Sequence, residues 1–314
     1  MSFEQFTLHT GAPIPTQLVA NVRKWDQEAV TPGWLESLPA TVERLCSKWD
    51  ITLDPFIPDP YITLVVFGHS SQLGPVVIKS SPLAGEFLAE ATALRLAGGE
   101  SVSRLYDVDF DGSAMVVERI VPGTQLLDVP MSDEDATRLA AEMLRTFWRE
   151  VPNPTGLHPL RHWMRALLNW TPRPEVLSTE LVTHAQEVAL RLLSRSSRSY
   201  LLHGDMQHHN LLQRETGDWV VIDPKGLYGD PGFDIAAWMY NPPDVSLRTD
   251  YPELAKRRIA ICANAWDMRE DDLAEWSFVG AVLNACWSTS DAAPEGLLEH
   301  CVQIALHLET LQDR

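Results

Sequence analysis

The residues with the strongest chemical character lie in LLHGDMQHHNLLQRETGDWVVIDPKG, residues 201 to 226. Asp205 and Asn210 are separated by four residues, and LLQ, the turn RETGD and the run WVVID come next. That pattern predicts a tight hairpin that returns Asp223 to the side of Asn210. Two carboxylates and an amide so placed suit phosphoryl transfer, which rests on positioning and charge neutralisation. One carboxylate holds an acceptor hydroxyl in line with the γ-phosphate, and Asp205 fits that role. The other carboxylate and an amide oxygen hold magnesium, a hard ion that prefers oxygen ligands. Asp223 and Asn210 fit this second role. Strand alternation puts Trp219, Val221 and Asp223 on one face, so Asp223 must leave the ladder at the strand's end to meet a metal.

The Asp-x-x-x-x-Asn spacing is that of the protein-kinase catalytic loop, with His203-Gly204 where kinases carry His-Arg. A site of that kind needs a strand lysine for the α/β-phosphates and a helix glutamate to hold it. Lys79 ends the run PVVIK. Glu86 and Glu90 lie on the next helical stretch, four residues apart and on one face. Glu90 is the expected partner, with Glu86 in reserve. The loop GHSSQLG could cover phosphates but carries only two glycines. His208 and His209 have no third ligand at a zinc spacing.

The surrounding elements fall into three parts. Residues 1–58 read as an N-terminal helical extension. In WLESLPATVERLCSKWDI, Leu38, Val42, Leu45, Cys46 and Trp49 recur at helical spacing, and the proline-rich DPFIPDP ends the run. Residues 59–121 read as an N-lobe with a nucleotide-binding sheet. YITLVVFG and GPVVIK form one hairpin around HSSQL, GEFLAEATALRLAGG is a helix closed by a glycine pair, and SRLYDVDF and AMVVERI form a second hairpin around DGS. Residues 122–314 read as a helical C-lobe with the catalytic loop and acceptor site. VPGTQL is the connector, and Ser132 with Asp135 signals a helix start. LSTELVTHAQEVALRLLSRS begins in the same way, and residues 200–223 form one insertion of β character. The expected fold class is α+β: a bilobal, protein-kinase-like fold with a small antiparallel N-lobe sheet, one N-lobe helix and a mainly helical C-lobe.

The chain has 314 residues and a formal charge of −18, which argues against a nucleic-acid partner. The acidity suits a cationic small-molecule acceptor and equally an ordinary solvated surface. No run approaches the length of a membrane helix, so no membrane partner is expected. The N-terminal residues lack a secretory pattern, and the expected location is the cytoplasm. Cys46, Cys262, Cys286 and Cys301 are far apart and read as buried free thiols.

HGDMQHHN together with VIDPKGLYGDPGFDIAAWMYNP resembles the aminoglycoside phosphotransferase superfamily, closest to the branch of streptomycin 6-phosphotransferases and hydroxyurea-type resistance kinases. LPATVERLCSKWDITL, VVIKSSP, EFLAEATALRLAGG and VVERIVPGTQL extend the resemblance from about Trp34 to Pro243. It implies a kinase-like fold and O-phosphorylation of a small molecule with ATP and magnesium. Asp205 then resembles the catalytic base, Asn210 and Asp223 the magnesium ligands, and Lys79 the phosphate lysine. Asp234, in GFDIA, resembles the buried acid that braces the catalytic loop through backbone amides, with His203 as further support. Val117-Glu118-Arg119-Ile120 resembles the hinge, where backbone groups of Glu118 and Ile120 would hold adenine. Lys225 is either a cation near the phosphates or a solvated loop lysine. Gln207 and His209 depart from the family's usual histidine and glycine. Trp163, Trp238, Asp244, Asp267, Asp271, Asp272 and Trp276 are candidates for the acceptor pocket. Three readings are open: a streptomycin-type kinase, a kinase of another metabolite such as a sugar, amino alcohol or hydroxyurea-like compound, and a nucleotide-binding pseudokinase, which the intact Lys79, Asp205, Asn210 and Asp223 set argues against.

Overall fold

The amphipathic stretch at residues 34–51 is helical over Trp34–Trp49, as expected, and that helix packs against the sheet of the next segment. The computed structural model describes residues 7–8, 12–25, 28–55, 61–99, 101–152, 154–195, 199–289 and 296–312. In chain order the first elements are α1 (Thr16–Lys24), α2 (Trp34–Trp49), β1 (Ile51–Leu53), β2 (Leu64–Ser70), β3 (Gly74–Ser80), α3 (Ala84–Ala97), β4 (Leu105–Asp109) and β5 (Ala114–Glu118). The strands form one antiparallel sheet in the order β1-β2-β3-β5-β4. Leu18 and Val22 of α1 and Leu38, Val42 and Leu45 of α2 share one core with Leu64, Val66, Val76 and Ile78 of the sheet. An amphipathic helix must bury its apolar stripe, and here the sheet supplies the surface. The division after residue 58 lies outside the described residues, as do Pro58 and Pro60 of the proline break.

The β2–β3 turn is tighter than the sequence indicates, because β2 runs on through His69 and Ser70. Ser70 Oγ accepts from the amides of Gln72 and Leu73, each at 3.1 Å. The Ser71 amide donates to Asp50 O at 3.3 Å. The Gln72 and Leu73 amides are spent within the turn and the Ser71 amide on Asp50, which counts against the loop as a phosphate cradle. Helix α3 ends where Gly98 turns left-handed at φ 85, a conformation that costs glycine little.

The remaining elements are β6 (Pro122–Gln125), α4 (Asp133–Phe147), β7 (His158–Pro159), α5 (Leu160–Trp163), α6 (Arg165–Leu168), α7 (Thr179–Arg195), β8 (Tyr200–Leu202), β9 (Leu211–Arg214), β10 (Trp219–Val221), β11 (Leu227–Gly229), α8 (Ala236–Met239), α9 (Tyr251–Trp266), α10 (Glu270–Trp287) and α11 (Leu297–Glu309). Ser132 caps α4: its Oγ accepts from the Asp135 amide at 3.1 Å. Helix α10 is apolar nearly all round and packs against α7, α8, α9 and α11. Strand β11 pairs in parallel with β7 and antiparallel with β8. Neither β7 nor β11 is foreseen from the sequence.

Packing divides the chain into two units, Met1–Gly123 with Gln213–Val220, and Thr124–Leu212 with Val221–Arg314. The β9–β10 turn therefore belongs with the first unit. There Arg214 Nη2 bonds both carboxylate oxygens of Glu118, at 2.8 and 3.0 Å, and the Glu215 amide donates to Val121 O at 3.0 Å. All four cysteines are free and buried. Among the described residues no helix is long and apolar enough to cross a membrane.

Candidate active site

The second unit holds the candidate catalytic-loop residues. Strand β8 delivers His203 into a fully buried position. The Asp205 amide donates to His203 Nδ1 at 3.1 Å, so the ring proton sits on Nε2, which donates to Ile222 O at 2.9 Å. Burial pushes the His203 pKa down to about 4, which keeps the imidazole neutral and Nδ1 able to accept. Gly204 has φ 80, and a Cβ there would stand 2.9 Å from Leu227 Cδ1 of β11. Only glycine fits both the turn and the approach.

Asp234 lies beyond β11 on a 3₁₀ turn and is 1% exposed. Its carboxylate accepts from the amides of His203 (2.9 Å) and Gly204 (2.7 Å) and from Trp148 Nε1 (2.7 Å). Burial raises its pKa to about 6, against the lowering effect of those three bonds. Asp234 thus bonds the two amides that precede Asp205.

Around Asp205 the side chains converge. Asn210 Nδ2 donates to Asp205 O at 2.8 Å and to Oδ2 at 3.3 Å. Gln207 Nε2 donates to Oδ1 at 3.1 Å, and Lys225 Nζ lies 3.2 Å from Oδ2. Lys225 is thus ion-paired with Asp205 while its side chain stays 40% exposed, and its amide donates to His203 O at 2.7 Å. The Ile222 amide donates to Asn210 O at 3.0 Å, which brings the end of β10 back to Asn210. At the next residue Asp223 turns left-handed, φ 60, and leaves the ladder. With Asn210 Nδ2 spent on Asp205, its Oδ1 is the atom left that could coordinate a cation. An amide oxygen and a carboxylate are the hard oxygen donors that magnesium prefers, so Asn210 Oδ1 and Asp223 are the candidate ligands.

The first unit holds the phosphate-binding candidates. Lys79 is on β3, paired across to Val65 of β2 and Met115 of β5. It is 8% exposed, and its Nζ is bonded to Glu90 Oε1 of α3. Glu86 is exposed, so the structure selects Glu90. Glu118 has its carboxylate engaged by Arg214 and by the Arg104 amide (3.2 Å), and its carbonyl accepts from Ser103 Oγ at 3.0 Å. The Arg119 amide donates to Pro75 O at 3.2 Å. The side chain of Glu118 is thus structural, and only a second lone pair on its carbonyl remains for a nucleobase. Ile120 is buried two residues further on.

The acceptor candidates sort differently from expectation. Trp238 and Trp276 are core residues, 2% and 1% exposed. Trp276 packs edge-to-face on Phe233, with ring centroids 5.7 Å apart. Asp271 and Asp272 pair with Arg269 (2.7 Å) and Arg195 (3.0 Å). Asp267 is the left-handed residue that ends α9, and Asp244 precedes a 3₁₀ turn. Trp163 remains half-buried against Phe233 and Trp287. His209 Nδ1 meets Gln125 Oε1 at 2.8 Å. Sequence reasoning missed Trp148, the third donor to Asp234. It also missed Tyr240, whose phenol is held well above its usual pKa by burial and then by the charge of Asp205. No local pattern marks either residue.

Residues 48–292 match the aminoglycoside/hydroxyurea antibiotic resistance kinase family. The streptomycin 6-kinase of Streptomyces glaucescens is 29% identical over 292 residues, 89% of this chain and 92% of that protein. The hydroxyurea phosphotransferase of Kitasatospora aureofaciens is 26% identical over 240 residues, 73% of this chain and 68% of that protein. Among solved structures, the amicoumacin kinase hAmiN in complex with AMP-PNP, Ca2+ and Ami matches with a TM-score of 0.59 at 12% identity, over 96% of each chain. At that identity the likeness is one of fold: α+β and protein-kinase-like.

Proposed function

This chain belongs to the aminoglycoside/hydroxyurea antibiotic resistance kinases, and we propose that it moves the γ-phosphoryl group of ATP, with magnesium, onto a hydroxyl of a streptomycin-type aminoglycoside. It is a nucleotide-using phosphotransferase acting on a small molecule. The observation that carries the proposed chemistry is the bonded Asp205–Asn210 pair with Asp223 turned out of the ladder one residue past the Ile222–Asn210 bond.

Asp205 orients the acceptor hydroxyl and takes its proton. The hydroxyl oxygen forms a bond to the γ-phosphorus, the bond from that phosphorus to the β–γ bridging oxygen breaks, and ADP leaves. Asn210 Oδ1 and Asp223 would hold magnesium, which would offset charge on the phosphate oxygens. Lys79, fixed by Glu90, binds the α/β-phosphates, and backbone groups of Glu118 and Ile120 take the adenine edge. Lys225 keeps a positive charge on Asp205 Oδ2, which eases the approach of an anionic phosphoryl group to a carboxylate. His203 and Asp234 position the loop. A net charge of −18 favours the encounter with a cationic acceptor, and streptomycin carries guanidines.

The relative named a hydroxyurea phosphotransferase supports a second reading, in which the acceptor is a small neutral hydroxyl compound. A coupled assay of ADP release with ATP and magnesium decides between them, run with streptomycin, other aminoglycosides, hydroxyurea, sugars and amino alcohols, and with Asp205→Ala as blank. Release that needs streptomycin and vanishes in the variant is the expected result. Release with hydroxyurea alone supports the second reading. Undiminished release by Asp205→Ala refutes the assignment of the base.

A further inference from the structure

We propose that His208 is a positioning residue for phosphoryl transfer, its ring stacked on Trp238 so as to fix the turn that presents Asn210. The inference rests on the reading of Asn210 as a magnesium ligand.

His208–Asn210 is a single 3₁₀ turn, closed by the Asn210 amide on Gln207 O at 2.9 Å. So short a turn has little stability of its own. The side chain of Asn210 bonds Asp205, but that ties one part of the loop to another and neither to the body of the unit. The loop is anchored at its start by Asp234, which holds the amides of His203 and Gly204. At its other end Asn210 O accepts from the Ile222 amide at 3.0 Å and His209 Nδ1 meets Gln125 Oε1 at 2.8 Å, and His208 adds an aromatic anchor on the helices behind the loop. This ring is 7% exposed and lies flat on the Trp238 indole, with centroids 4.1 Å apart and planes 11° from parallel.

Trp238 is in turn held by Thr137 and Arg258. Its Nε1 donates to Thr137 Oγ1 of α4 at 3.0 Å. Its carbonyl accepts from Arg258 Nη1 of α9. The guanidinium of Arg258 also stands 5.5 Å from the indole centroid. Arg258 is 1% exposed, bonds Asn241 O at 2.8 Å, and pairs with Asp133 of α4 at 2.6 Å. Helices α4, α8 and α9 are thus joined behind one aromatic surface, and the catalytic loop rests on it through His208.

The ring acts by shape. Among the described residues, the buried His208 Nδ1 has no hydrogen-bond partner. A flat aromatic side chain without nitrogen should therefore do the same positioning.

The test measures calorimetric binding of AMP-PNP across a magnesium titration, together with steady-state kinetics and melting temperature, for His208→Ala, His208→Phe and Asn210→Ala. His208→Ala is expected to raise the magnesium concentration for half-maximal AMP-PNP binding by about 10-fold or more, the scale of losses when a ligand's outer support is removed, and to leave the acceptor KM unchanged. His208→Phe should restore most of that loss. Asn210→Ala should raise the magnesium requirement at least as much as His208→Ala. If Asn210→Ala raises it and His208→Ala lowers only the melting temperature, His208 is merely structural and the inference fails. If His208→Phe folds but stays as impaired as His208→Ala, the ring acts through its nitrogens and the shape argument fails. If Asn210→Ala leaves the magnesium requirement unchanged, the reading of Asn210 fails and takes the inference with it.

Discussion

Replacing Asp234 with asparagine should separate stability from activity. The wild-type carboxylate accepts from three buried donors, Trp148 Nε1, His203 N and Gly204 N. An amide of the same shape has one acceptor oxygen. That oxygen can serve His203 and Trp148, which share Oδ2, but the NH2 group then faces the Gly204 amide, donor to donor. An unmade buried hydrogen bond costs about 1–3 kcal/mol. Against this stands the burial of the charge. The pKa of Asp234 rises from 3.8 to about 6 on folding. The folded state therefore binds the proton more tightly than the unfolded state. The stability arising from this is fully present below about 3.8 and is lost as pH rises through about 6. Over the whole span the loss is about 3 kcal/mol, and between about pH 4.5 and about pH 7.5 it is about 2 kcal/mol. Asparagine has no such dependence. Urea denaturation at those two pH values should show wild-type stability falling by about 2 kcal/mol relative to Asp234→Asn. Near neutral pH the two terms nearly cancel, so the variant should be folded. Its Gly204 amide has nevertheless lost its acceptor one residue before Asp205, and kcat should fall about 100-fold, the order associated with a misplacement of about 1 Å. A stability difference that does not change with pH, or a kcat within a few-fold of wild type, refutes the reasoning.

The geometry gives two further outcomes. Lys79→Met should raise KM for ATP about 10- to 100-fold through loss of charge-assisted bonds, with acceptor KM unchanged, while Glu86→Gln leaves steady-state kinetics as they are because Glu86 is exposed. Gly204→Ala places a Cβ 2.9 Å from Leu227 Cδ1 at a φ of 80, so thermal melts should show a loss of about 1–3 kcal/mol and turnover should fall with it.

The part of the site that is legible in the sequence is the part whose contacts are local. Asp205 and Asn210 share one loop, and a single hairpin turn returns Asp223, so spacing and turn residues carry the information. Lys79 can be read from the end of its strand, and the choice of Glu90 over Glu86 requires only the helix period. Asp234 enters through resemblance, and its donor Trp148 lies 86 residues away with no periodic signal to link them. The same holds for the support behind Asn210. Asp133 and Arg258 are 125 residues apart, and each reads alone as an ordinary surface charge. Trp238 and Trp276 read as acceptor contacts because residue type does not say which side of a helix a large aromatic ring occupies. Strands β7 and β11 are two and three residues long, too short to display alternation. Helix α2 is legible as amphipathic, but its partner sheet lies beyond a proline break, and so it reads as an extension. Asp205, Asn210 and Asp223 are encoded within one loop and hairpin, whereas the support behind that loop comes from α4, α8 and α9. Substitutions far from Asp205 in sequence, at Trp148, Trp238 or Arg258, should therefore perturb turnover without touching substrate.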